Sequence, residues 1–200
     1  MLGGCGEIFI MRIVNKEEFN LEQEQFFAQI LKGDVYIHPT DTIYGLGANA
    51  TNKKAVQNIR ELKKREDMPF SVIAPSKGWI KENCELNGKV EQWIEKLPGP
   101  YTLILRLKNK DVIADNVAPG LDTVGIRIPD HWFSMIANVL NIPLVTTSAN
   151  VVGDNVMTSM DNLNTDIKSG VDFIVYDGEK KGRPSTLVDL SKEKENIKER

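Results

Sequence analysis

Leu144-Val145-Thr146-Thr147-Ser148-Ala149-Asn150 is the stretch on which the reading of this chain turns. Leu144 to Thr147 has the β-branched and apolar content of a buried strand, and Pro143 punctuates its start. The strand delivers Ser148 and Asn150 at its carboxyl end, where open α/β sheets present groups to ligands. Far away in the chain, Lys63-Lys64-Arg65 closes a helix with a dense cationic cluster. Cations neutralise phosphate or carboxylate, and small hydroxyl and amide groups orient it. A site built from both stretches would suit a nucleotide.

The segments before this strand alternate in character. His131–Leu140 reads as a helix, and Val124–Ile128 as a strand that carries Arg127 among apolar neighbours. Lys108–Asp122 reads as a long polar loop, of a length that is usually functional or mobile. Tyr101–Leu107 is a strand after the hard stop Pro98-Gly99-Pro100. Trp79–Leu97 reads as one or two helices with Val90, Trp93, Ile94 and Leu97 facing inward, and Phe70–Ala74 as a strand. Thr51 or Asn52 caps a helix whose apolar stripe is Ala55, Val56, Ile59 and Leu62. Lys53, Lys54, Arg60, Lys63 and Lys64 lie on or near its polar side. Val35–His38 is a short strand ended by Pro39, and the run 39–48 is rich in hydroxyls and in glycines that permit close approach of a ligand. Glu17–Lys32 reads as one helix, with Leu21, Phe26, Phe27, Ile30 and Leu31 on its stripe and Gly33 as its stop.

On the carboxyl side come a loop at 153–157, a short helix at 161–167 and a strand at 173–176. A glycine-bearing loop at 177–183, a last strand at 185–190 and a charged tail follow. Strands and helices mix without strict alternation. The expectation is therefore an α/β domain with a mixed twisted sheet and flanking helices, not a doubly wound one. Residues 1–11 are read as an N-terminal extension and 12–200 as a single domain.

The 200 residues, 41% hydrophobic and 26% charged, suffice for one globular domain with a sizeable core. The net charge of −3 means that any phosphate contact comes from a local patch, not from a global field. Cys5 and Cys84 show neither metal spacing nor a disulfide framework, which suits a reducing cytoplasm. No apolar run approaches the ~18 residues of a membrane span. Met1-Leu2-Gly3-Gly4-Cys5 is preceded by no positive or apolar region, so no signal peptide is read. The expected location is cytoplasmic, away from membranes.

Each candidate residue has a plain structural alternative. Lys63 and Arg65 are either a solvated helix end, favourable to the helix dipole, or a phosphate site. Two residues apart, they share no face of a regular helix, so convergence needs unwinding at the terminus. Arg127, inside an apolar strand, needs a partner, either a ligand anion or a structural salt bridge. Ser148 and Asn150 are ligand groups or caps of the next segment. Ser185 and Thr186 are site groups or turn residues. His38 and His131 have no metal-ligand spacing. There is no P-loop, no GxGxxG and no Ser-His-Asp arrangement.

Taken together, six stretches in order resemble the YrdC-domain enzymes, the L-threonylcarbamoyladenylate synthases. They are the run 39–47, Lys63-Lys64-Arg65 as K-x-R, Pro98 to Leu103, Thr123 to Pro129, Ser148-Ala149-Asn150 as S-x-N, and Pro184 to Asp189. The resemblance covers roughly 14–189 and implies a YrdC-like α/β fold around a large, positively charged cavity. It implies formation of L-threonylcarbamoyl-AMP and pyrophosphate from L-threonine, bicarbonate and ATP. That product would serve threonylcarbamoyladenosine modification of tRNA, the transfer being made by separate partner proteins. Carried over, Thr42, Arg127, Ser148 and Ser185 would meet L-threonine. Lys63 and Arg65 would face the ATP phosphates as the catalytic cations, with Thr123, Asn150 and Thr158 on the nucleotide side. Mg2+ would ride on the phosphates without assigned protein ligands. Both cations are expected to be exposed to the cavity, so that alanine at either would remove activity and spare the fold.

Three departures stand out. Glu66 follows the K-x-R where many members have proline. Ile73 occupies the position of a histidine. The chain is read as the short form of the family, with Arg200 the one candidate for an arginine that longer members carry beyond the last strand. The rival reading is a YrdC-like paralogue that binds nucleotide or double-stranded RNA without synthase activity. The intact K-x-R and S-x-N motifs speak against it, and the cationic helix interleaves no aromatic platform for RNA bases.

Overall fold

The computed structural model describes residues 11–199. The proposed N-terminal extension except Met11, and with it Cys5, lies outside the described residues, as does Arg200. One sheet organises the rest. Its strands are β1 Arg12–Val14, β2 Tyr36–His38, β3 Gly45–Asn49, β4 Ser71–Ile73, β5 Tyr101–Arg106, β6 Thr123–Arg127, β7 Leu144–Ser148, β8 Phe173–Val175, β9 Thr186–Asp189 and β10 Asn196–Lys198. Their spatial order is β1-β8-β2-β3-β7-β4-β6-β5-β9-β10. β1 and β2 run parallel to β8, β4 to β6 and β5 to β9; the remaining pairs are antiparallel. The sheet is mixed, as the irregular alternation of strands and helices implies.

Helices cover its two faces unequally. They are α1 Lys16–Leu21, α2 Gln23–Lys32, α3 Lys53–Lys63, α4 Lys77–Asn83, α5 Gly88–Glu95, α6 Met135–Leu140 and α7 Thr165–Ser169. On one face Leu46, Val72, Leu103, Ile126 and Val145 pack against apolar residues of α3, α4, α5 and α7, such as Val56, Ile80, Ile94 and Ile167. On the other, Tyr36, Ile73, Leu144 and Phe173 pack against Phe19, Phe26, Ile30 and Phe133. This second core covers one end of its face. Across the middle, side chains of a strand alternate between faces, and the registers place Gly45 opposite Ser148, and Ser71 opposite both Thr146 and Gly125. The centre of that face is therefore small and polar, and none of the described helices contributes to the lining of the cavity there.

Several elements differ from expectation. The helix expected over 17–32 is two helices that meet at Glu22, whose carboxylate receives both arms of Arg12 at 2.7 Å. The break changes the phase of the helical period, so Leu21 is 84% exposed while Phe19 is fully buried. The expected polar loop 108–122 is built from two single 3-10 turns and buries Ile113, Val117 and Ala118. The helix expected from His131 opens as a 3-10 turn, Trp132–Ser134, before α6. β1 and β10 have no counterpart among the expected strands. Each has only three residues at a sheet edge, too few for periodicity to show. The glycines of the run 39–48 lie within β3 and not in a turn.

Candidate active site

The uncovered centre of the sheet is the floor of a cavity of about 280 Å³. β4, β5, β6 and β7 supply Ser71, Thr102, Arg127, Thr146 and Ser148 to its lining. The floor is flat because Gly125 has no side chain: a Cβ there would lie 2.6 Å from Ser71 Oγ. The walls come from loops. Thr40 and Tyr44 stand before and at the approach to β3, Arg65 follows α3, and Pro184 and Ser185 precede β9. Among the described lining residues the charged side chains are Arg65 and Arg127, and none is a carboxylate.

Arg127 is 6% exposed and ion-paired with Asp41, Nη2 to Oδ1 at 2.5 Å. Asp41 also accepts the backbone N–H of Asp130 at 3.0 Å. The partner that a buried arginine requires is thus in part a protein carboxylate, from the run 39–48. Thr42 is buried behind the wall, its hydroxyl 3.0 Å from that of Thr40. The Thr40 hydroxyl donates to Ile43 O and accepts from the N–H groups of Thr42 and Ile43, which pins the turn. Ser185 is 3% exposed and shares a 2.7 Å hydrogen bond with Thr102.

The two cations of the K-x-R part company. α3 ends at Lys63, and Lys64 takes the left-handed conformation with φ of 52°. That single residue turns the chain, so Arg65 reaches the cavity wall. Lys63 does not meet the expectation of exposure: it is 1% exposed. Its ammonium donates to Ser148 O and Asn150 O at 2.6 Å each and to Asn150 Oδ1 at 3.3 Å. It lies under the S-x-N segment and ties it to α3. Burial, and then the nearby charge of Arg65, pull the Lys63 ammonium down to about 7. Asn150 gathers the same segment: its Oδ1 also accepts from Ser148 Oγ at 2.5 Å, and its amide donates to Asp154 O at 2.8 Å.

Ser148, Ser185, Arg65 and Arg127 therefore line one cavity, with Lys63, Asn150 and Thr42 directly behind it. Thr123 and Thr158 do not line it. Thr123 shares the floor face two positions from Gly125, and the Thr158 hydroxyl accepts from Asn162 at 2.9 Å. Of the departures, Glu66 is exposed, and Ile73 packs in the second core, one face-repeat beyond Ser71. His38 is buried and stacked on Phe133 at 5.0 Å, and burial lowers its imidazole to about 3. The reading from sequence missed Asp41, Thr40, Ser71, Thr102 and Thr146. The signal was present as apolar/small-polar alternation in Thr102-Leu103, Ser71-Val72 and Val145-Thr146, which marks a strand face that is not core.

No described helix is long and apolar enough to cross a membrane. The family model named for Sua5, YciO and YrdC, described as "Telomere recombination", matches residues 28–200. A protein of Methanocaldococcus jannaschii, named as a putative threonylcarbamoyl-AMP synthase, is 38% identical over 184 residues, 90% of this chain and 86% of that one. The threonylcarbamoyl-AMP synthase of Pyrococcus abyssi is 32% identical over 81% of this chain, which spans about half, 48%, of its length. The crystal structure of P. abyssi Sua5 complexed with L-threonine superposes with a TM-score of 0.84 at 29% identity, over 94% of this chain and 56% of the other.

Proposed function

We propose that this chain, which belongs to the Sua5/YciO/YrdC family, is a nucleotidyltransferase that makes L-threonylcarbamoyl-AMP and pyrophosphate from L-threonine, bicarbonate and ATP. One observation carries the reading: a cavity floored by hydroxyls and bearing two arginines, with no carboxylate in the described lining. The names of the relatives, and the L-threonine complex of the P. abyssi protein, support it.

The chemistry asks for such a site. The threonine amine and bicarbonate give a carbamate with loss of water. A carbamate oxygen then attacks the α-phosphorus of ATP, and pyrophosphate leaves. Both reactants are anions, so catalysis rests on orientation and on cations placed where charge develops. In this reading Arg127, with Ser148 and Ser185, receives the amino acid, and Thr42 supports that side from behind through its contact with Thr40. Arg65 meets the phosphates directly, and Lys63 serves them by holding the Ser148–Asn150 backbone. Small-molecule pockets commonly measure about 300–1,000 Å³, so a cavity of about 280 Å³ takes the reacting groups while the nucleoside extends out of it. Val156, between Asn150 and Thr158 in the chain, lines the cavity, and in this reading the nucleoside extends along that segment; Thr123 is kept on the nucleotide side without lining the cavity.

Among the described residues no group of three or more His, Cys, Asp or Glu is placed to hold a metal. In this reading Mg2+ would ride on the triphosphate, where it would neutralise phosphate charge. The product would pass to separate proteins that modify tRNA.

Pyrophosphate release from ATP, measured with L-threonine and bicarbonate omitted in turn, tests the proposal. Release that requires both is the expected result. Bound ATP without release would favour a nucleotide-binding relative that lacks synthase activity.

A further inference from the structure

Arg60 was placed by sequence on the polar side of its helix, yet it is 5% exposed. Its guanidinium is spread over backbone carbonyls of two separate segments. Nε and Nη2 donate to Asn116 O at 2.8 and 2.6 Å. Nη1 donates to Glu66 O at 2.7 Å and to Arg65 O and Met68 O at 3.2 Å each. The carbonyl of Arg60 accepts the N–H of Arg65 at 3.0 Å. Arg60 therefore holds Arg65 on both sides of its peptide unit, through its own backbone and through its side chain.

A shared ring adds to this. The Arg60 guanidinium lies 4.5 Å from the centroid of Phe70, and that of Arg65 lies 5.2 Å from the same centroid. The N–H of Phe70 bonds Val117 O at 2.9 Å, so the ring is anchored to the segment that Arg60 grips with its other arm. Arg65 also donates to Pro69 O at 2.7 Å. Nothing here touches the cavity except Arg65 and Pro69. The arrangement needs a planar fork with donors in several directions, which lysine lacks.

We propose that Arg60, with Phe70, is a positioning residue for Arg65: it sets where the Arg65 guanidinium meets the phosphates of the nucleotide. The inference rests on the reading that Arg65 faces those phosphates. A clamp that merely stabilised the loop would affect every ligand alike and independently of Arg65; a positioning residue acts through Arg65 alone.

The test is a double-mutant cycle on ATP and L-threonine affinity, measured by calorimetry on the full chain as wild type, Arg60→Lys, Phe70→Leu and Arg65→Ala, and on the Arg60→Lys and Phe70→Leu changes in the Arg65→Ala background. The expected result is ATP binding weakened about tenfold by Arg60→Lys and several-fold by Phe70→Leu, with L-threonine binding within about twofold. In the Arg65→Ala background either change should add less than about twofold. If Arg60→Lys does not fold, the Phe70→Leu cycle decides. ATP affinity within about twofold of wild type in the folded variants would overturn the proposal, as would effects that multiply in full with Arg65→Ala. Parallel loss of L-threonine affinity would overturn it too. The affinities do not depend on turnover. Coupling in a wild type that releases no pyrophosphate would remove the synthase reading and keep the positioning role, whereas release without coupling would remove the positioning role alone.

Discussion

At the scale of single residues, the two cations of one motif have different environments and should fail differently. Arg65 is half-buried on the cavity wall. Arg65→Ala should lower kcat for pyrophosphate release by about 10²–10³, the usual effect of removing one charge-stabilising donor, with an unchanged melting temperature. Lys63 sits beneath, its three donors satisfied by Ser148 and Asn150. Lys63→Ala leaves buried carbonyl oxygens without a donor, so denaturant unfolding should show a loss of about 1–3 kcal/mol as well as lost activity. Lys63 also makes stability depend on pH. Its ammonium is lowered from 10.5 to about 7 in the folded chain, so between these values the unfolded state binds more protons. Stability then rises with pH across that window and is insensitive to this group below it. Wild type should gain stability on Lys63→Met from pH 7 towards pH 10, and the two curves should run parallel below pH 7. Parallel curves throughout would mean that the carbonyl cage keeps the ammonium at its ordinary value.

At the scale of elements, the site depends on strands packed closer than side chains allow. Gly47 in β3 faces Tyr36 in β2, and a Cβ there would lie 2.5 Å from the tyrosine ring. Tyr36 is fully buried against Phe133 and Phe173 and has nowhere to move. Gly47→Ala should destabilise the fold by about 1–3 kcal/mol through overpacking, read as a lower urea midpoint with an unchanged m-value. β10, by contrast, pairs with β9 alone among the described strands and is exposed along its length. The glycines of the run 39–48 could be read from the sequence as allowing close approach, but the approaching group is a neighbouring strand's aromatic ring.

For the whole molecule, charge argues against a general RNA-binding surface. The net charge is −3, and described lysines such as Lys53, Lys64, Lys77 and Lys81 are paired with carboxylates. Binding to unmodified double-stranded RNA at physiological salt should be weaker than about 10⁻⁵ M, with a shallow dependence of log K on log salt. A steep slope with tight binding would revive the RNA-binding alternative. Binding of ATP, confined to a cavity with two arginines, should be far less affected by RNA competitors.

What the sequence determined by itself was whatever follows from local periodicity and punctuation. That includes the mixed α/β class, the strands around Tyr36, Leu103, Ile126, Val145 and Ile174, the helix capped near Asn52, and the arrival of Ser148 and Asn150 at a strand's carboxyl end. The order of the motifs was equally legible, since it is a linear property. Tertiary structure alone decided which charges face the cavity. Lys63 and Arg60 look like solvated lysine and arginine on a polar helix side, and both are buried because carbonyls 85–87 and 56 residues away come to meet them. Arg127 finds Asp41 across 86 residues of chain. A charge can leave water only where partners converge on it, and partners so distant in sequence leave no trace in any local pattern.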